Sequence, residues 1–195
     1  SDIGVEAETI VLGKHSGRHA VHQRFTDLGL ELEESQFEEV FSRFKILADR
    51  KHEVTTADLF SLVDLKAEKE DQIVLDSLQV SSGTNITPTA TVRLMVNGQR
   101  LEDATCGDGP VDAAFKAIDK VLGTKGKLIH YSLQAIDGGE DAQGEVTVTV
   151  KFGENLVGGR GVSTDIIEAS VLGYLEAVNR ACGRGWIKIQ EKNVS

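Results

Sequence analysis

The sequence is poor in the features that usually announce chemistry. Only two cysteines occur among 195 residues, Cys106 and Cys182, and neither sits in a CxxC pair. That excludes a disulfide framework or a zinc ribbon, and reduced thiols in a cytoplasmic setting are expected. Basic residues are outnumbered, 21 against 31 acids, for a formal charge of −10. Without a basic surplus, neither nucleic acid nor an anionic membrane surface is an expected partner. No apolar run approaches the roughly 18 residues of a membrane span. Ser1 to Thr9 lacks the basic-then-apolar layout of a secretory signal. There is no HxH pair, HExxH helix, GxSxG elbow, GxGxxG fingerprint or P-loop. No catalytic residue is therefore assigned, and no metal or other cofactor is expected in this chain.

What is present reads as an ordinary globular chain, 40% hydrophobic and 27% charged, long enough for one or two domains. His15, His19 and His22 are spaced to share a helix face. A metal site there is disfavoured, because no cysteine or carboxylate joins them and Lys14, Arg18 and Arg24 would repel a cation.

Residues 1–70 read as helical linker subdomains. Ser16 is placed to cap a helix through Ala20, Val21, Phe25 and Leu28, which Gly29 stops. Phe37, Val40, Phe41, Phe44, Leu47 and Ala48 form an apolar stripe on a second helix. A third begins at Thr55 or Thr56, with Asp58 in its first turn and Leu59, Leu62 and Val63 inward. Helices this short bury little alone, so they are expected to pack on something else, such as another chain or a missing domain. The charged run Lys66 to Asp71 reads as a linker.

Residues 71–195 change period. Ile73 to Val80, Thr89 to Val96 and Gln99 to Thr105 read as strands, the last two joined at Asn97-Gly98. Pro110 opens a helix that Gly123 stops, with Val111, Phe115, Ile118 and Leu122 inward. The pattern then repeats: strands at Lys127 to Ile136, Gly144 to Phe152 and Asn155 to Gly159, then a helix with Ile167, Val171, Tyr174 and Val178 inward. Ser77-Leu78-Gln79 recurs as Ser132-Leu133-Gln134, an offset of 132 − 77 = 55. The fold class is α+β: a helical linker followed by a duplicated β-β-β-α domain with pseudo-twofold symmetry, units 72–124 and 125–183.

The loops suggest binding. Gly107-Asp108-Gly109-Pro110 ahead of a helix resembles an anion cradle, although a turn plus a cap needs the same residues. Gly159-Arg160-Gly161-Val162-Ser163-Thr164 is its counterpart in the second unit. The acidic loop 137–141 suits an ammonium group or calcium less well than a solvated turn.

Three segments carry a family resemblance. Leu12-Gly13-Lys14-His15-Ser16-Gly17-Arg18-His19-Ala20 is similar to the segment after the barrel in the α-isopropylmalate, citramalate and homocitrate synthase family. Leu78 to Thr84 with Gly107 to Ala114, and then Gly159 to Ser170, resemble the two halves of the family's C-terminal regulatory domain. The resemblance runs from Val11 to about Ala181. It implies an allosteric, feedback-regulatory and homodimer-forming region that binds leucine. The family condenses acetyl-CoA with 2-oxoisovalerate on a metal-bearing TIM barrel of about 250 residues. This chain is shorter than such a barrel and lacks the family's HxH, so it is expected to be inactive alone, with the divalent metal belonging to the barrel.

The resemblance implies a leucine site of Gly107, Gly109, Val111 and Asp112 from the first unit. Leu128, Tyr131, Ala135, Ala142 and Gly144 are its contribution from the second. Backbone N–H groups of the helix start would take the carboxylate, Leu128, Tyr131 and Val111 the side chain, and Asp112 or a loop carbonyl the ammonium. Lys14, His15, Ser16 and Arg18 would approach a partner subunit's active site, or simply stabilise a helix start and a subunit contact. The alternatives are an isoleucine-sensing region of a citramalate synthase and a structural dimerisation module with a vestigial site.

Overall fold

A computed structural model describes residues 12–63, 73–136 and 142–189 of the chain. The charged run 66–71 and the acidic loop 137–141 lie outside the described residues.

The first helix, α1 (Arg18–Asp27), has Gly17 at its N-cap and no side-chain cap. Ser16 does not cap it. Its hydroxyl instead accepts the Gly13 N–H at 3.0 Å and closes the turn before the helix. Gly29 follows the last turn at φ +80°, as the stop signal predicted. In α2 (Glu34–Arg50) the stripe buries Phe37, Val40, Phe44 and Ala48. A reciprocal pair of hydrogen bonds between Thr55 and Asp58 caps α3 (Thr56–Leu62). Burial pushes the Asp58 carboxyl up. The Thr55 N–H and the Lys51 ammonium outweigh it and hold Asp58 below the usual carboxylate range. Leu62 stays partly exposed while Phe60, absent from the expected stripe, is buried. The reason is tertiary: Phe60 faces a second layer of the same chain.

That layer belongs to the duplicated domain. Strands β1 (Ile73–Gly83), β2 (Ile86–Val96) and β3 (Gln99–Cys106) form one antiparallel sheet in sequence order, and α4 (Pro110–Leu122) packs on it. Strands β4 (Gly126–Ile136), β5 (Gln143–Phe152) and β6 (Asn155–Ser163) form the other, covered by α5 (Ile166–Gly183). Both units carry a bulge early in the first strand, at Asp76 and at Ile129, and β1 has a second irregularity at Ser82. Asn97 (φ 49°) and Gly98 (φ 80°) make the tight hairpin that the Asn-Gly pair predicted. Three strand boundaries differ from expectation by more than one residue. β1 and β2 extend further into their hairpin, and β6 continues through Ser163 rather than ending at Gly159.

Each helix lies on its own sheet and the two helices touch, so one apolar core runs from sheet to sheet through both. Phe115 of α4 stacks on Tyr174 of α5 at 4.4 Å between centroids. The units also hold each other's first strands. Asn179 of α5 accepts the Ile73 N–H and donates to its carbonyl, at 3.1 and 2.8 Å. Asp119 of α4 accepts from Thr124 Oγ1, the Gly126 N–H and the Tyr174 hydroxyl, at 2.7, 3.2 and 2.9 Å. Burial raises the Asp119 carboxyl despite these three donors, and it holds the Tyr174 hydroxyl well above its ordinary value.

The linker helices have their own apolar cluster and dock on the back of the second sheet, on this chain rather than on a separate one. Thr149 of β5 donates its buried hydroxyl to Leu28 O at 2.7 Å, and the Gly158 N–H donates to Gly29 O at 3.3 Å.

Candidate functional site: the start of the first-unit helix

The start of α4 is built by a close loop. The Gly107 N–H donates to Pro88 O at 3.0 Å. A Cβ on Gly107 would stand 2.4 Å from Ala113 N and 2.7 Å from Asp112 Oδ2. Gly107 is thus required by the packing of loop on helix. Gly109, the N-cap, is different: nothing lies within 4 Å of where its Cβ would be, and no side chain caps the helix. Pro110 has no N–H to lose at the first helical position. The result is an uncapped, dipole-favoured helix start with an open approach over Gly109, suited to a carboxylate. Asp112 is already engaged, accepting the Asp108 N–H at 2.8 Å and pairing with Lys116 at 3.0 Å.

The second unit does not reproduce this. Its helix start is closed by Asp165, whose Oδ1 accepts the Ile167 and Glu168 N–H groups at 2.8 and 3.2 Å. Gly159 and Gly161 belong to β6, where a Cβ would fall 2.0 Å from Gly173 O and 2.0 Å from Ala169 O respectively. The expected cradle counterpart is therefore a strand of packing glycines that lets α5 approach the sheet closely.

Strand β4 places Leu128, Tyr131 and Ala135 on the helix-facing side of the second sheet, opposite Val150, Val148 and Gly144. Ser170 donates its hydroxyl to Ile166 O, so the Tyr131 hydroxyl donates to Ser170 Oγ, at 2.7 Å. Burial pushes the Tyr131 hydroxyl up, against the hydrogen bond to Ser170. Leu128 is half-buried, while Ala135 and Ala142 are exposed. Leu133 and Ile166, not foreseen, flank Gly144 and stay 46% and 45% exposed, which extends the apolar strip along this edge. Within one chain α4 packs on β2, β3, α5 and β1, while β4 packs on β5 and α3. Val111, Leu128 and Tyr131 each pack against the common core.

The linker residues lie elsewhere. Gly13, Lys14, His15, Ser16, Asp49 and His52 line a cleft of about 660 Å³. Arg18 lies over the Phe37 ring at 5.0 Å and pairs with Glu38; with His19, His22 and Glu34 it borders a smaller cleft of about 320 Å³. The His22 ring meets Phe37 edge-on at 4.7 Å. Among the described residues, no three His, Cys, Asp or Glu side chains are placed to hold a metal ion, and no helix is long and apolar enough to cross a membrane.

Residues 53–182, the whole duplicated domain with α3, match the family model described as the LeuA allosteric (dimerisation) domain. The chain belongs to that family. Residues 1–52 match a second model, the homocitrate synthase post-HMGL domain-like family. Among curated relatives, the 2-isopropylmalate synthase of Carboxydothermus hydrogenoformans is 49% identical over 180 residues, covering 91% of this chain and 35% of the relative. That of Heliobacterium modesticaldum is 50% identical over the same shares. That of Aquifex aeolicus is 43% identical over 196 residues, covering 99% of this chain and 38% of the relative. The chain thus spans little more than a third of the length of these enzymes. The family assignment gives the duplicated domain a regulatory and dimerisation role.

Proposed function

We propose that this chain is the leucine-sensing, homodimer-forming region of a 2-isopropylmalate synthase. It takes up leucine so as to inhibit condensation of acetyl-CoA with 2-oxoisovalerate on a catalytic barrel outside the chain. The observation that carries the reading is the asymmetry between the two helix starts. Asp165 fills the one at α5, whereas the one at α4 has no side-chain cap and an open face at Gly109. A duplicated fold that closes one anion site and leaves the other open is suited to one ligand per chain.

In this reading the leucine carboxylate meets the Val111 and Asp112 N–H groups. The isobutyl group lies against Val111, Leu128 and Tyr131. A loop carbonyl takes the ammonium, because Asp112 is held by Lys116 and the Asp108 N–H. Ala135, Ala142 and Gly144 border the pocket. The names of the relatives favour leucine over isoleucine as effector.

Calorimetric titration of the 195-residue chain with leucine, isoleucine and valine tests this. The expected outcome is a saturable heat for leucine, lost in Gly109→Asp. That variant should fold, because its Cβ enters open space, while its charge repels the ligand carboxylate. No heat from any of the three, with a folded dimer confirmed by sedimentation, refutes the reading.

A further inference from the structure

We propose that the back of the second sheet is the joint through which effector binding reaches the linker helices; this rests on the reading above. The two events share the same strands. Val148 and Val150 of β5 pair with Tyr131 and Leu128, the apolar wall of the candidate site. Thr149, between them, points to the opposite face and donates to Leu28 O at the end of α1. One strand therefore carries the ligand wall on one side and the linker contact on the other.

The joint is closely packed, with the Phe60 ring and the Thr149 hydroxyl set against the backbone. A Cβ on Gly29 would lie 2.6 Å from Gly158 N, and one on Gly158 would lie 3.0 Å from Leu28 O and from the Phe60 ring. Backbone rests on backbone, held by the Thr149 hydroxyl and the Gly158 N–H. At its margin the Thr55 hydroxyl donates to Gln134 Oε1 of β4 at 3.4 Å. Close-packed contacts of this kind respond to a sub-ångström shift by repacking rather than by yielding smoothly. A ligand that draws β4 and β5 toward α4 must move Leu28 and Gly29, and with them the ends of α1 and α3. Among the described residues, the linker packs on a sheet chiefly through α3, on β5 and β4 of the second unit.

Hydrogen exchange on the 195-residue chain, with and without saturating leucine, tests this. In the parent chain leucine should change exchange in β4 and the start of α4, and also in residues 25–30 and 55–63. In Thr149→Val the leucine Kd should stay within about threefold of the parent's, while the response of residues 25–30 and 55–63 is lost. Thr149→Ser, which keeps the hydroxyl, should restore it. A Thr149→Val chain that binds leucine and keeps the full linker response overturns the joint but leaves the sensing role intact. So does a parent chain that binds leucine with no linker response. A parent chain that binds none of the three amino acids overturns the sensing role and the joint together. Near-UV circular dichroism identifies a variant that has lost its fold, and Gly158→Ala then replaces it with the same outcomes required.

Discussion

The two β-β-β-α units have the same connectivity and very different surroundings. In the first, β2 alternates: Ala90, Val92, Leu94 and Val96 are buried under α4, while Thr91, Arg93 and Met95 remain partly open on the other side. In the second, Val146 to Val150 is buried without a break, because α5 covers one face and the linker helices the other. The packing solutions differ as well. Where α4 meets its sheet, the small residues are on the helix, at Ala113, Ala114 and Ala117. Where α5 meets its sheet, they are on the strand, at Gly159 and Gly161. Duplication supplied one fold twice. One copy kept an open helix start, and the other took on a second packed face.

The sharpest way to break the comparison is to fill the strand glycines. Gly159→Val places a Cβ 2.0 Å from Gly173 O. We expect a loss above about 4 kcal/mol, with no cooperative urea transition. Gly109→Ala, which meets nothing, should leave the transition in place.

Removing the second cover comes next. Phe60→Ala empties a buried ring site against Gly158. It should cost about 3–5 kcal/mol in urea unfolding. Thr149→Val should cost about 1–3 kcal/mol, since Leu28 O then stays buried without a donor. Thr91→Ala, on the open back of the first sheet, should stay within about 0.5 kcal/mol.

The smallest effects are in pH dependence, and the two regions differ in sign. Burial raises Asp119, at the crossing of the two units, so the native state holds that proton more tightly than the unfolded chain. Its contribution to stability therefore falls as pH rises from the ordinary carboxylate value through the raised one. Asp58, in the linker, is lowered. Its contribution is present above the ordinary value and lost as pH falls through the lowered one. Chemical unfolding between pH 3 and 7 should show Asp119→Asn removing a decline with rising pH. Asp58→Asn should remove a rise.

Much of the fold was legible because its signals are local. Helix stops at Gly29 and Gly123, the Asn97-Gly98 hairpin, the helix start at Thr55-Thr56 and the period-two runs of β2 and β5 each act within a few residues. The Ser77-Leu78-Gln79 repeat made the duplication readable. Ser16 was misread because Gly17 takes the N-cap and the Ser16 hydroxyl serves the preceding turn. The glycines at 159 and 161 were misread because a packing glycine and a cradle glycine look identical in sequence. Asp119 with Tyr174, Asn179 with Ile73 and Thr149 with Leu28 carried no signal, since each pairs residues distant along the chain.

The sequence by itself determined the α+β duplication, the three N-terminal helices and the family. Each rests on residue type and spacing, which set backbone preference and which side of an element is apolar. Tertiary structure alone decided which helix start stays open and which back face is covered. Both depend on what approaches from elsewhere: a carboxylate at Asp165 closes one helix start, and the Leu28-Gly29 turn seals one sheet. Burial and hydrogen-bond completion are properties of the assembled layers, so they become fixed only when the layers meet.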